Sequence, residues 1–294
     1  MIKNYFDSLL NQSPRANWAA LLRKLFESEA SCEYTTEIFL SPKHMRSQRL
    51  YDFFHRYITI ARHHSDWSFP GFQGATIVEL GPGPLMGWGP LAVFDQCEMF
   101  IGIEPSFNQK LLEDSRFTDI YLLGVHRDLC ALYNQEIAFV EFQKAVEERI
   151  AGFKSIESLD ENTYVDIMLS NSCLEHIIDL KSTINTLYQR ATPGSIFLHC
   201  VDFGSHLSKT DPFSAIYSSP PTTKGIDPIM GINFLRPPDI LDIFRSAGFI
   251  VECIPYYSAP QSTSQKLNSY WSDNYSPEEL FLKVGIFVGA KPVV

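Results

Sequence analysis

The sequence has no C-x-x-C pair. Its six cysteines stand alone at 32, 97, 130, 173, 200 and 253 with no zinc-type histidine spacing beside them, which excludes a zinc finger and points to isolated thiols in a reducing cytoplasm. The dipeptide Gly-Lys never occurs, so no P-loop can cradle a nucleotide's phosphates. No apolar run approaches the roughly 18 residues of a membrane span, so no membrane partner is expected. Positive charge is scarce: 24 Lys and Arg face 34 Asp and Glu, a net charge of -10, and a chain without a basic surface is a poor partner for nucleic acid. Met1 to Gln12 mixes charged and apolar positions too finely for a signal peptide's apolar stretch. A cytoplasmic location is the expectation.

What is present, 294 residues of which 45% are hydrophobic, suffices for one elaborated domain. The first seventy residues carry helical periodicity. Trp18, Leu21, Leu22, Leu25 and Phe26 follow a Ser13-Pro14 start, and Leu50, Phe53, Phe54, Tyr57, Ile58 and Ala61 follow a second start at Ser41-Pro42, so an N-terminal helical cap is expected over 1–70. From residue 71 onward short β-type runs alternate with helical stretches, the texture of a largely parallel α/β sheet. Strands are expected at 75–80, 99–103, 153–156, 164–169, 195–201, 249–254 and 282–288. Helical periodicity runs from Ile137 to Ile150 and from Leu180 to Tyr188, and Asp239 is expected to cap a helix that Gly248 ends. Residues 211–238 hold six of the eighteen prolines, so 204–236 reads as a long irregular loop, and a second loop carries Tyr256, Tyr257, Tyr270, Trp271 and Tyr275 between the last two strands.

The densest chemical signal is Ile77-Val78-Glu79-Leu80-Gly81-Pro82-Gly83. An apolar strand ends here in a carboxylate and a two-glycine turn, at the sheet edge where doubly wound folds bind nucleotides and where a missing Cβ lets the backbone approach a ligand. A dinucleotide fingerprint needs Gly or Ala at position 86, occupied by Met86, and no Tyr is followed by Lys four residues on, so a nicotinamide-dependent oxidoreductase is the weaker reading. Glu104 closes the second expected strand, 25 residues after Glu79, where an ionised carboxylate can accept hydrogen bonds from vicinal ribose hydroxyls.

In that order Glu79-x-Gly81-x-Gly83, Ile101-Gly102-Ile103-Glu104 and the segment Asp166 to His176, with its Ser170-Asn171-Ser172-Cys173-Leu174-Glu175-His176, resemble the class I S-adenosylmethionine-dependent methyltransferases over roughly residues 71 to 290. The resemblance implies a Rossmann-like seven-stranded sheet in the order 3-2-1-4-5-7-6 over 71–294, with S-adenosyl-L-methionine as cofactor and a small molecule as methyl acceptor. It implies that Glu79, Gly81, Pro82, Gly83, Glu104, Asn171 and Ser172 bind the cofactor and that His176 is the candidate general base. A catalytically inactive binding subunit would carry the same cofactor residues.

His199, Asp202 and His206 form H-x-x-D-x-x-x-H. Three residues apart on a strand, His199 and Asp202 tend to face opposite sides, so no metal site is expected, and His199 and Asp202 are taken to line the acceptor pocket with Tyr217, Asn233 and Arg236 of the 204–236 loop. The acceptor's identity and the oligomeric state are not encoded in any motif.

Overall fold

Short apolar runs flanked by turn residues become strands, and those within the sheet are buried on both faces. In the computed structural model, which describes residues 29–41, 47–205, 208, 211–220, 232–259 and 266–293, seven strands form one sheet in the order β3-β2-β1-β4-β5-β7-β6. They are β1, Thr76–Leu80; β2, Met99–Ile103; β3, Ile150–Phe153; β4, Val165–Asn171; β5, Ala191–Asp202; β6, Ile250–Ser258; and β7, Leu282–Ala290. The order is the one expected from sequence. The helix expected at 13–26, the start at Pro42 and the side chain of His206 lie outside the described residues.

The chain packs as two compact units, Met1–Phe54 with Phe72–Gly74 and Pro82–Ser155, and His55–Gly71 with Ala75–Gly81 and Ile156–Val294. In the first, β2 and β3 pair in parallel. Around them lie α1, Glu29–Leu40; the first turns of α2, Ser47–His64; α3, Gly89–Phe94; α4, Leu123–Tyr133; and α5, Phe139–Arg149. Helix α3 is buried on every side, and Trp88, before it, is sealed by Phe54 at 5.1 Å between ring centres while its indole N–H donates to the Leu50 carbonyl at 3.1 Å. Burying an indole with its one donor satisfied gains apolar contact at no polar cost.

Helix α5 ends at Arg149 and passes into β3 with no turn residue between. The third strand is therefore at 150–153, three residues before its expected position, because Ile150 completes the helical stripe and also opens the strand.

In the second unit β1, β4 and β5 run parallel, and β7 joins β5 and β6 antiparallel. Helix α6, Leu180–Arg190, is capped by Asp179, whose side chain accepts from the Ser182 N–H. Helix α7, Pro237–Ala247, begins before Asp239. Arg236 is the N-cap, prolines fill the first two helical positions where no N–H is needed, and the Asp239 carboxylate reaches back to accept from the Arg236 N–H at 2.7 Å. The stretch between β6 and β7 also differs from its expectation. Tyr256 and Tyr257 belong to β6, and two short helices, α8 at Ser269–Asn274 and α9 at Pro277–Leu280, place Trp271 and Leu280 against Phe213 and Ile216 in a core of their own.

Among the described residues no helix is long and apolar enough to cross a membrane, and no group of three or more His, Cys, Asp or Glu side chains is gathered to hold a metal ion.

Candidate functional site

In the first unit the glycine turn and the tip of β2 meet. Glu104 follows β2, and its half-buried carboxylate accepts from the Gly83 N–H at 3.1 Å through one oxygen and from the Ser106 N–H at 2.7 Å through the other. Two backbone donors fix the carboxylate's plane, and each oxygen keeps lone pairs for a further donor. Gly83 has a φ of 69°, and nothing lies within 4 Å of the position a Cβ would occupy. Open space is thus left beside an anchored carboxylate.

In the second unit Glu79 is buried in β1 and Gly81 follows it with a φ of 67°. A Cβ on Gly81 would stand 2.6 Å from the Cys173 sulfur, so any larger residue here forces Cys173 to shift. Asn171, at the last rung of β4, pairs with Cys200 of β5, and Ser172 turns away with a φ of 53° while its N–H donates to the Cys200 carbonyl at 2.8 Å. A left-handed non-glycine residue at a strand tip is uncommon. It swings the chain into the 3-10 turn Leu174–His176, which leaves His176 exposed and Glu175 buried.

Glu175 is 3% exposed. One of its carboxylate oxygens accepts from the Asp202 N–H at 3.3 Å, and the other has no hydrogen-bond partner. Loss of solvent pushes its pKa up to about 8 against the weaker pull of the backbone donors, so near neutrality it carries a proton. His199 is wholly buried in the same unit, beside the stacked rings of Phe197 and Phe244, with its Nδ1 2.8 Å from the Ser170 hydroxyl. Burial lowers its pKa to about 3, and it is neutral.

These two groups give opposite pH slopes. An acid whose folded pKa is raised holds a proton that the unfolded chain has lost, so stability falls as pH rises from about 4.5 to 8. A histidine with a lowered pKa removes stability as pH falls below about 6.5. Between pH 6.5 and 8 only Glu175 acts, and at up to 1.4 kcal/mol per pH unit it should cost about 1 to 2 kcal/mol across that window. Urea unfolding of Glu175→Gln should lack this decline. Parallel wild-type and variant curves would show that the carboxyl is ionised in the fold.

The residues expected to face an acceptor divide. Asp202 closes β5, accepting from the Gly204 N–H at 2.8 Å and pairing with the Lys283 ammonium of β7 at 3.2 Å. Both line a cleft of about 530 Å³ together with Pro212 and Tyr257. His199 lies in the core instead, and Asn233 braces the turn after β4: its side-chain amide donates to the carbonyls of Leu174 at 2.8 Å and Ile177 at 3.0 Å, and its backbone N–H to that of Glu175. Arg236, 2% exposed, lies over the Trp271 ring and donates to the Phe203 carbonyl at 3.3 Å. Tyr217 ends a 3-10 turn beside the buried Ile216. The described parts of the 204–236 loop are thus packed against α8 and α9. Lys283 escaped the sequence reading because a lone lysine opening a strand has no pattern around it.

Residues 45–254 match the model of a family described as a methyltransferase domain. No curated protein matches the sequence. The fold is similar to solved structures that include an S-adenosylmethionine-dependent methyltransferase from Mesorhizobium loti (15% identity, 76% of this chain and 93% of that chain, TM-score 0.41). Others are a structure described as a putative S-adenosylmethionine-dependent methyltransferase from Listeria monocytogenes (12%, 79% and 98%, 0.43) and phosphoethanolamine N-methyltransferase 2 of Haemonchus contortus bound to S-adenosyl-L-methionine (15%, 81% and 52%, 0.46).

Proposed function

The chain belongs to the methyltransferase-domain family, as a class I S-adenosylmethionine-dependent methyltransferase, and from that premise we propose that it methylates a hydroxyl, amine or carbon of a small molecule in the cytoplasm. S-adenosyl-L-methionine is the cofactor; when bound it supplies a methyl group made electrophilic by a sulfonium. The observation that carries the reading is the Glu104 carboxylate, held by the Gly83 and Ser106 amides beside open space at Gly83.

In this reading Glu104 accepts the ribose hydroxyls, and Glu79 with the Gly81-Pro82-Gly83 turn orients the cationic methionyl portion. Asn171 and Ser172 complete the cofactor contacts. The chain's task is then alignment and exclusion of water, which supply most of the acceleration in a displacement at carbon. A base is needed only for a hydroxyl or a protonated amine, and His176, exposed on the turn after β4, can take that proton. The cleft at Asp202 and Lys283 is within the usual range for small-ligand sites of about 300 to 1,000 Å³, and its paired charges suit a polar acceptor better than a phosphate backbone, which the net charge of -10 also disfavours.

Calorimetry with S-adenosylhomocysteine and with NAD tests the reading. Saturable binding of the first and none of the second is expected, with S-adenosylhomocysteine appearing by mass spectrometry when S-adenosylmethionine is incubated with an acceptor pool. Binding of NAD alone would replace the methyltransferase reading with an oxidoreductase one.

A further inference from the structure

The buried face of α2 carries two tyrosines, Tyr51 and Tyr57, and the structure gives the hydroxyl of the second a partner at the sheet. Tyr57, 4% exposed, donates from its hydroxyl to Asn171 Oδ1 at 3.3 Å and shares a hydrogen bond with the Cys200 thiol. Asn171 and Cys200 face each other across the last rung of β4 with β5, so a single phenol bridges the two strands there. The ring is fixed as well: Tyr256 of β6 packs edge-on at 5.3 Å, and its own hydroxyl accepts from Arg56 at 3.1 Å. Burial raises the phenol's pKa and pushes the Cys200 thiol up to about 12. Both keep their protons at neutral pH.

We propose that Tyr57 is a positioning residue for methyl transfer: by occupying Oδ1 of Asn171 it turns that side chain's two Nδ2 protons toward an oxygen of the bound methyl donor. An asparagine at a strand tip is free to present either end of its amide, and a donor facing outward where an acceptor should be reverses the sign of the contact. The Tyr57 hydroxyl, donating to Oδ1, favours one of the two orientations. It also ties the second half of α2 to the sheet end that carries the chemistry, a function for this helix beyond covering apolar surface. The proposal rests on the reading that Asn171 contacts the cofactor.

A double-mutant cycle read by calorimetry with S-adenosylhomocysteine separates the two. Tyr57→Phe keeps the ring and its packing, and it should weaken binding about 3- to 10-fold, the loss of one oriented hydrogen bond. Asn171→Ala should weaken it at least as much. Tyr57→Phe in the Asn171→Ala background should then add nothing, because the group it positions is gone. Asn171→Asp, which still accepts from Tyr57 but offers no Nδ2 protons, should match Asn171→Ala. A readout independent of overall stability is the Asn171 side-chain amide resonance, identified by its absence in Asn171→Ala: on addition of S-adenosylhomocysteine it should move in wild type and much less in Tyr57→Phe. Wild-type affinity in Tyr57→Phe, or an equal loss in both backgrounds, overturns the positioning role while leaving the cofactor site intact. Wild-type affinity in Asn171→Ala overturns the site reading itself.

Discussion

Glu104→Ala should lower affinity for S-adenosylhomocysteine about ten- to a hundred-fold. A hydrogen bond to a charged group is worth roughly 1.5 to 3 kcal/mol when it replaces water, and a vicinal diol makes two such bonds to one carboxylate. The substitution also releases the Gly83 and Ser106 N–H groups that the carboxylate now receives, so the turn loses its anchor along with the ligand contact. Glu104→Gln distinguishes these losses. The amide keeps the side chain's shape and one acceptor oxygen but presents an N–H₂ to a neighbouring donor. Its affinity should therefore fall between those of wild type and Glu104→Ala. The measurement is calorimetry on variants with wild-type unfolding transitions. Unchanged affinity in a folded Glu104→Ala would end the ribose assignment.

Glu104 was legible because its chemistry and its place coincide: an acidic residue directly after a five-residue apolar strand. The expected span of β2 and the observed one agree end to end, and β1 and β4 differ from their expected spans by one or two residues. Such runs are buried on both faces, so their composition alone marks them. Strand β6 was read short for a different reason. Pro255 breaks the usual strand signature, yet β6 lies at the sheet's edge, where a missing N–H costs no ladder bond, and the register shifts around Pro255 and Tyr257 absorb the irregularity.

The candidate site was legible where one strand tip carries it and obscure where distant segments meet. The segment Asn171 to His176 drew attention to its histidine. The structure shows the neighbouring glutamate as the buried member, a distinction that depends on how the left-handed Ser172 turns the chain. Tyr57 and Lys283 are 114 and 81 residues from the side chains they touch, and no local spacing could announce either contact. Arg236 misled in the opposite sense. A cation in an irregular, proline-rich stretch reads as a ligand group, but two prolines and Asp239 after it build a helix start that uses the residue as its cap and folds the side chain over Trp271.

Gly81→Ala should lower stability by about 2 to 5 kcal/mol, a large share of the roughly 5 to 15 kcal/mol that holds a typical domain together. Two costs combine. A left-handed φ of 67° strains any residue with a Cβ by about 1 to 2 kcal/mol, and overpacking a buried contact adds roughly 1 to 3 kcal/mol. The contact in question is with Cys173, whose sulfur would stand 2.6 Å and whose Cβ 2.9 Å from the new methyl group. Removing the sulfur should therefore return part of the loss. Alone, Cys173→Ala deletes a half-buried atom and can only be neutral or destabilising; combined with Gly81→Ala it should give a protein more stable than Gly81→Ala by itself. Urea unfolding of the four proteins measures that sign directly. A double variant less stable than Gly81→Ala would mean that the backbone angle, not the approach of the loop after β4, demands glycine here. The expected recovery, by contrast, would tie the first strand's turn to the loop carrying Glu175 and His176, and S-adenosylhomocysteine affinity should recover along with stability.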